Sequence, residues 1–99
     1  RHGVAVELRD VGERPAGRTA DAALVAAARR SLARIGREAS VAASSTDANA
    51  AVAAGIPAIG FGVAVAGDAH RASEWLDPRS LVDGYTALAQ LLGELRARP

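Results

Sequence analysis

The sequence predicts an α/β protein in which a largely parallel sheet carries helices packed on it. Three observations predict this class. Three short stretches have the alternating or continuous apolar pattern of strands, three longer ones repeat apolar residues at helical spacing, and the two kinds follow one another strictly as βαβαβα. No internal repeat, and no low-complexity tract beyond a bias to alanine, interrupts the order.

The first stretch alternates Val4, Val6 and Leu8 with Ala5, Glu7 and Arg9, the period of a half-buried strand with a charged outer face. Residues 12–18, "GERPAGR", then gather two glycines and a proline, which is the chemistry of a hinge or linker. A domain boundary is expected there, between residues 1–17 and 18–99. Over residues 20–35, Leu24, Ala28, Leu32 and Ile35 mark an amphipathic helix, with Thr19 as its N-cap, Asp21 near its positive end and Gly36 as its stop.

Residues 38–45, "EASVAASS", are only weakly β-prone, but they follow a helix stop and lead into capping residues, so a brief strand is expected over 40–43. "STDANAAVAAGIP" opens with four potential caps, continues as an alanine-rich helix and closes on Gly55 ahead of Ile56 and Pro57. "AIGFGV" reads as a buried strand whose glycines permit close backbone approach. In the closing helix Asp77 caps, Pro78 takes the first helical position, and Leu81, Tyr85, Leu88, Leu92 and Leu95 recur at alternating spacings of four and three. Ligands of parallel sheets bind at loops leaving the carboxyl ends of strands. Residues 44–49 and 62–70 are therefore expected to meet at one sheet edge, with residues 4–8 outside the main sheet.

Composition excludes several chemistries. Twelve arginines against eleven acidic residues leave a net charge of +1, so neither a nucleic-acid footprint nor a membrane-surface patch is indicated. No apolar run reaches the roughly 18 residues of a membrane span, no signal-peptide pattern opens the chain, and a cytoplasmic protein is expected. With no cysteine there is no disulfide framework, thiolate nucleophile or cysteine zinc site. With no lysine, phosphate-loop and Schiff-base lysines are absent too. The chain opens at Arg1 directly into a strand pattern, which reads as part of something longer.

The scarce residues concentrate in "GDAHRASEW", residues 67–75, which hold one of two histidines and the sole tryptophan. Two readings of His70 compete: a metal ligand or proton carrier on a loop, and an ordinary polar residue beside a core-anchoring aromatic. His70 and Glu74 have the i, i+4 spacing that would place both on one helix face, able to share a metal. The glycine-rich approach favours a loop that presents an imidazole. Against it, a hydrolytic zinc takes about three protein donors, and His2 reads as a solvated terminal residue. "GFGVAVAG" fails as a dinucleotide fingerprint, since its third glycine, Gly67, comes too late. Its glycines serve either tight packing or a backbone nest for a carboxylate or carbonyl oxygen. "SSTDAN" lacks the G-x-S-x-G elbow of a serine hydrolase. One of Ser45, Thr46 and Asp47 is expected to cap the following helix, leaving the others and the helix end to meet an anion or active-site partner.

Taken together, "RPAG", "STDAN", "GIPAIGFG" and "AHRASEW", in that order ahead of a leucine-rich helix, resemble the C-terminal part of a dinuclear zinc metallopeptidase family. That family includes peptidase T, carboxypeptidase G, aminoacylase, acetylornithine deacetylase and succinyl-diaminopimelate desuccinylase. The resemblance spans about residues 4–95 and rests on the order and spacing of the set. It implies a zinc exopeptidase-like catalytic domain interrupted by a smaller lid that often mediates dimerisation, hydrolysing amide bonds of small peptides or N-acyl amino acids. Residues 1–17 would be the last lid strand and the hinge, and 18–99 the end of the catalytic domain. His70 matches the family's last zinc ligand and Glu74 the glutamate after it, read as a support that orients the imidazole. Ser45, Thr46, Asp47 and Asn49 match a loop bordering the substrate, and Gly62 to Gly67 the glycine loop beside it.

The resemblance places the other ligands, the bridging aspartate and the general-base glutamate upstream of this region. A parent enzyme, a homodimer where its lid mediates dimerisation, would hold two zinc ions, of which these residues supply part of one site. The isolated chain is expected to be inactive. The rival expectation is a non-catalytic small-ligand-binding or dimerisation module on the same scaffold.

Overall fold

The computed structural model describes residues 3–98; His2 lies outside the described residues. The elements are α1 (Ala22–Arg34), α2 (Ala48–Ala53), β1 (Val65–Gly67), β2 (Trp75–Asp77) and α3 (Ser80–Arg96). All three expected helices are present. Their ends show why the sequence starts and stops them where it does.

The N-cap of α1 is Asp21 rather than Thr19: its carboxylate accepts the Leu24 N–H at 2.8 Å, while Thr19 Oγ1 accepts the Asp21 N–H at 3.4 Å. A carboxylate both satisfies an orphan donor and meets the positive helix end, so it displaces the hydroxyl. Gly36, at φ 75°, ends the helix in a Schellman pattern, with the Arg37 N–H on Leu32 O and the Gly36 N–H on Ala33 O, each at 3.0 Å. Gly55 repeats the device after α2, with φ 78° and the Ile56 N–H on Ala51 O at 2.9 Å. Before α3 the Asp77 carboxylate accepts the Arg79 N–H at 3.0 Å, so the helix opens at Ser80, just after the expected Pro78.

Helices α1 and α3 pack on each other. Leu24, Ala27, Ala28 and Ser31 of α1 are buried, as are Ser80, Gly84, Ala87 and Leu91 of α3. Both sets recur at three- and four-residue intervals, and most are small, so the two backbones approach closely. Ser31 is fully buried, and its hydroxyl donates to the equally buried Ala87 carbonyl, which offsets the cost of removing a polar group from water. Ile59, Phe61 and Leu95 pack against Ala27, Ala28 and Leu91. The apolar segment ahead of β1 is thereby seated on the helix pair, and this fixes where the next loop emerges.

An ion pair between Arg30 and Glu94 also crosses the two helices. The hydrogen bond from Arg30 holds the Glu94 carboxyl below its ordinary value of 4.5, with Arg34 and Arg98 adding attraction and partial desolvation opposing it. A lowered folded-state value means that the carboxylate favours the folded state above about pH 4.5, and that this support is lost as pH falls through the folded-state value. Acid unfolding followed by circular dichroism should therefore show a shallower decline below about pH 4.5 in Glu94→Gln than in the wild type. Parallel acid profiles would contradict this role.

Among the described residues, ladder hydrogen bonds are confined to β1 and β2, which pair antiparallel with Val65 opposite Asp77 and Gly67 opposite Trp75. Residues 4–8, 40–43 and 58–63, expected as strands, carry no ladder. Val4, Val6 and Leu8 are exposed, Val6 at 77%. A strand forms only against a neighbour. Residues 38–44 and 58–62 do not pair but line the same cleft.

Candidate metal-contributing hairpin and adjoining cleft

His70 stands on the loop of the β1–β2 hairpin. Residues 68–74 form successive turns rather than a helix, with the Arg71 N–H on Asp68 O at 3.1 Å and the Glu74 N–H on Arg71 O at 3.0 Å. The four-residue spacing of His70 and Glu74 is thus not a helix-face spacing. It results from a chain that turns twice and then enters β2. Both side chains are exposed.

Among the described residues, Asp68 and His70 are the non-glycine residues with left-handed backbone, at φ 55° and 64°. Asp and His tolerate this region better than most residues, yet it remains costly. The His70 side chain is exposed on this turn. Gly67, at the end of β1, lies under the tryptophan ring: a Cβ there would sit 2.7 Å from Trp75 Nε1. This is the tight-packing reading of that glycine. Trp75 is 49% exposed and covers its cross-strand partner, whereas the sequence suggested an aromatic anchored in the core.

Part of the second group of expected residues, without Ser45 and Asp47, borders a cleft of about 720 Å³ between α1, α2 and residues 38–44 and 58–62. Ser44, Thr46, Asn49 and Gly62 line it. Thr46 lies against Gly60, where an added Cβ would be 3.7 Å from its methyl, so residues 44–49 meet the segment 58–62 rather than the His70 turn. Gly62 has open space around its α-carbon, and its lack of a side chain is not forced by packing. His70, Glu74 and Gly67 do not line this cleft.

Side-chain capping of α2 is not found: Asp47 makes no cap hydrogen bond, and the first turn closes through backbone bonds from Asn49 N–H to Thr46 O and from Ala50 N–H to Asp47 O. Asn49 Nδ2 donates instead to Ser44 O at 3.3 Å. The Asp47 carboxylate is exposed and not engaged by the helix end. Arg14 donates to Ser45 Oγ at 3.2 Å, tying residues 12–18 to the cleft loop. Sequence reasoning missed that link, although Arg14 stands in the quoted hinge stretch, because a bond between residues so far apart in the chain leaves no periodic signal.

The donor chemistry fits zinc only in part. His70 offers an exposed imidazole and Glu74 an exposed carboxylate, both suitable donors. Among the described residues no three His, Asp or Glu side chains come together to hold a metal. The hairpin can contribute to a metal centre but does not make one. Among the described residues no helix is long and apolar enough to cross a membrane.

The model of peptidase family M20/M25/M40 matches residues 4–94. No curated protein and no solved structure matches the chain.

Proposed function

This chain belongs to peptidase family M20/M25/M40, and from that membership we propose that it is the C-terminal part of a zinc-dependent amidohydrolase acting on small peptides or N-acyl amino acids. The observation that carries the reading is His70, displayed at left-handed φ on an exposed turn, since backbone strain in a non-glycine residue is characteristically kept where function uses it. His70 would donate one nitrogen to zinc, and Glu74 would orient its ring. Zinc held there would supply Lewis-acid polarisation of the scissile carbonyl and would acidify a water. Ser45, Thr46, Asp47 and Asn49 border the substrate, Asp47 with a carboxylate left free for a cationic group. Gly62 and Gly67 belong to the loop beside it, Gly62 leaving backbone open to approach.

Residues 40–43 and 58–63 would join a largely parallel sheet completed by strands from elsewhere in the protein. Each follows a helix closed by a Schellman glycine, the order expected of βα units. Residues 1–17 would be the last lid strand and hinge. The exposed Val4, Val6 and Leu8 give that segment an apolar edge to cover, within the lid or across a homodimer. The near-neutral, cysteine-free composition suits a cytoplasmic enzyme. A non-catalytic ligand-binding or dimerisation module on the same scaffold is the second reading, distinguished by whether the intact protein carries the remaining zinc ligands.

Elemental analysis and an amide-hydrolysis assay on the intact protein containing these residues separate the two. The enzyme reading expects bound zinc, hydrolysis of dipeptides or N-acyl amino acids, and loss of both with a chelator. The isolated chain should bind zinc only weakly, because one imidazole and one carboxylate do not fill a tetrahedral site. Submicromolar zinc affinity of the isolated chain by calorimetry would overturn the shared-site reading, and an intact protein without zinc or hydrolysis would favour the module.

A further inference from the structure

We propose that Arg37 and Ser80 are positioning residues for the His70 imidazole, clipping both strands at the base of the hairpin that carries it. The inference rests on His70 as a zinc donor. Ser80 Oγ accepts the Val65 N–H at 2.8 Å and donates to the Asp77 carbonyl at 2.6 Å. Val65 and Asp77 face each other across the open end of the ladder, so one buried hydroxyl spans it. Arg37 adds a second tie: Nη1 donates to the Val63 carbonyl at 3.1 Å and Nη2 to the Ser80 carbonyl at 2.7 Å. One planar guanidinium therefore joins the segment entering β1 to the residue opening α3, which the fork geometry of arginine suits and a lysine ammonium does not.

The clip matters because the hairpin has little else to hold it. Each strand has three residues, Val65, Trp75 and Leu76 are exposed, and an isolated two-stranded hairpin is marginal in water. A ligand must be held within about 0.5 Å of its working position. Small rotations at the base of the hairpin become larger displacements at its turn, where His70 sits. Arg37 and Ser80 are at the base, so they act on the imidazole through the orientation of the hairpin. Arg37 itself is fixed by the Gly36 stop of α1, which carries the register of the helix layer into the loop.

The test uses the intact protein containing this chain, as wild type, Ser80→Ala, Arg37→Lys and His70→Ala. Amide hydrogen exchange is followed at Val65 and in the α1–α3 core, and zinc affinity is measured by competition with a chelator. Ser80→Ala and Arg37→Lys should each speed exchange at Val65 by about 10-fold or more and weaken zinc binding by roughly 10-fold. Exchange at Ala27, Ala87 and Leu91 should stay at the wild-type rate, which a general loss of stability would not allow. Arg37→Lys keeps the charge and the stem, and it carries the test if Ser80→Ala does not fold. Wild-type protection of Val65 in both variants would overturn the clip. Faster exchange with unchanged zinc affinity would overturn its positioning role. Wild-type zinc affinity in His70→Ala would overturn the metal reading instead, and the Val65 exchange rates then judge the clip by themselves.

Discussion

Gly84→Ala should destabilise the protein by about 3 kcal/mol, the upper end of what overpacking a close contact costs. A Cβ built on Gly84 falls onto the carbonyl group of Val63. The obstacle is backbone on both sides, so no rotamer change relieves it: either α3 lifts from the segment or the segment leaves the helix pair. Both movements disturb the Arg37 and Ser80 bonds beside Val63. For a domain of this size, 3 kcal/mol corresponds to a fall of roughly 12–24 °C in the unfolding midpoint. Gly93→Ala gives the opposite sign. Gly93 is exposed in the same helix with open space where a Cβ would go, so alanine there should add about 0.5–1 kcal/mol through helix propensity. Thermal unfolding followed at the helical signal checks both. A Gly84→Ala midpoint within about 2 °C of the wild type would show that α3 does not rest on Val63.

Gly84 also marks the limit of what could be read from the sequence. The closing helix was legible because leucines repeat along it, yet the repeat that was read, including Tyr85 and Leu92, lies partly on its exposed side. The buried line is Ser80, Gly84, Ala87 and Leu91. Small residues carry little hydrophobic signal, and they become the packing face because α1 meets Ala87 and Leu91 while the backbone at Val63 and the hairpin base meet Gly84 and Ser80. Glycine stops were legible for a different reason. A left-handed residue after a helix needs no tertiary partner, so Gly36 and Gly55 act as their local sequence says.

Strands are the reverse case. The period of two in residues 4–8 is clear, but a ladder requires a second segment at the right distance, and periodicity does not supply one. β1 and β2 were not expected at all, because three-residue strands are too short to show a period. Of the site, the identity of the scarce residues was legible and the conformation of their loop was not. "DAHRASE" turns twice, so the imidazole and the carboxylate are presented from a hairpin. Arg37 gave no signal, because it follows a helix stop and its two acceptors are backbone carbonyls far along the chain.

In the intact protein His70→Ala should lower kcat/KM by at least about 100-fold, beyond the 10- to 100-fold typical of a residue that only supports a ligand. If His70 is a zinc donor, losing it would open the coordination sphere and misplace the water that the metal would acidify. Zinc content or affinity should fall in step. Stability should change little, because the side chain is exposed and histidine already bears most of the cost of a left-handed φ of 64°, which alanine tolerates only somewhat less well. His70→Gly removes that ambiguity. Glycine accepts the backbone without strain, so this variant should be at least as stable as His70→Ala and equally poor in zinc. Glu74→Gln should lose no more than about 100-fold if the carboxylate orients the ring. Ser45→Ala should retain substantial activity, since in this mechanism its hydroxyl meets Arg14 and is not a nucleophile. A crippled Ser45→Ala would point to covalent catalysis. His70→Gly with full activity and unchanged zinc stoichiometry would remove the imidazole from the metal centre, because neither misfolding nor backbone strain remains to explain the result.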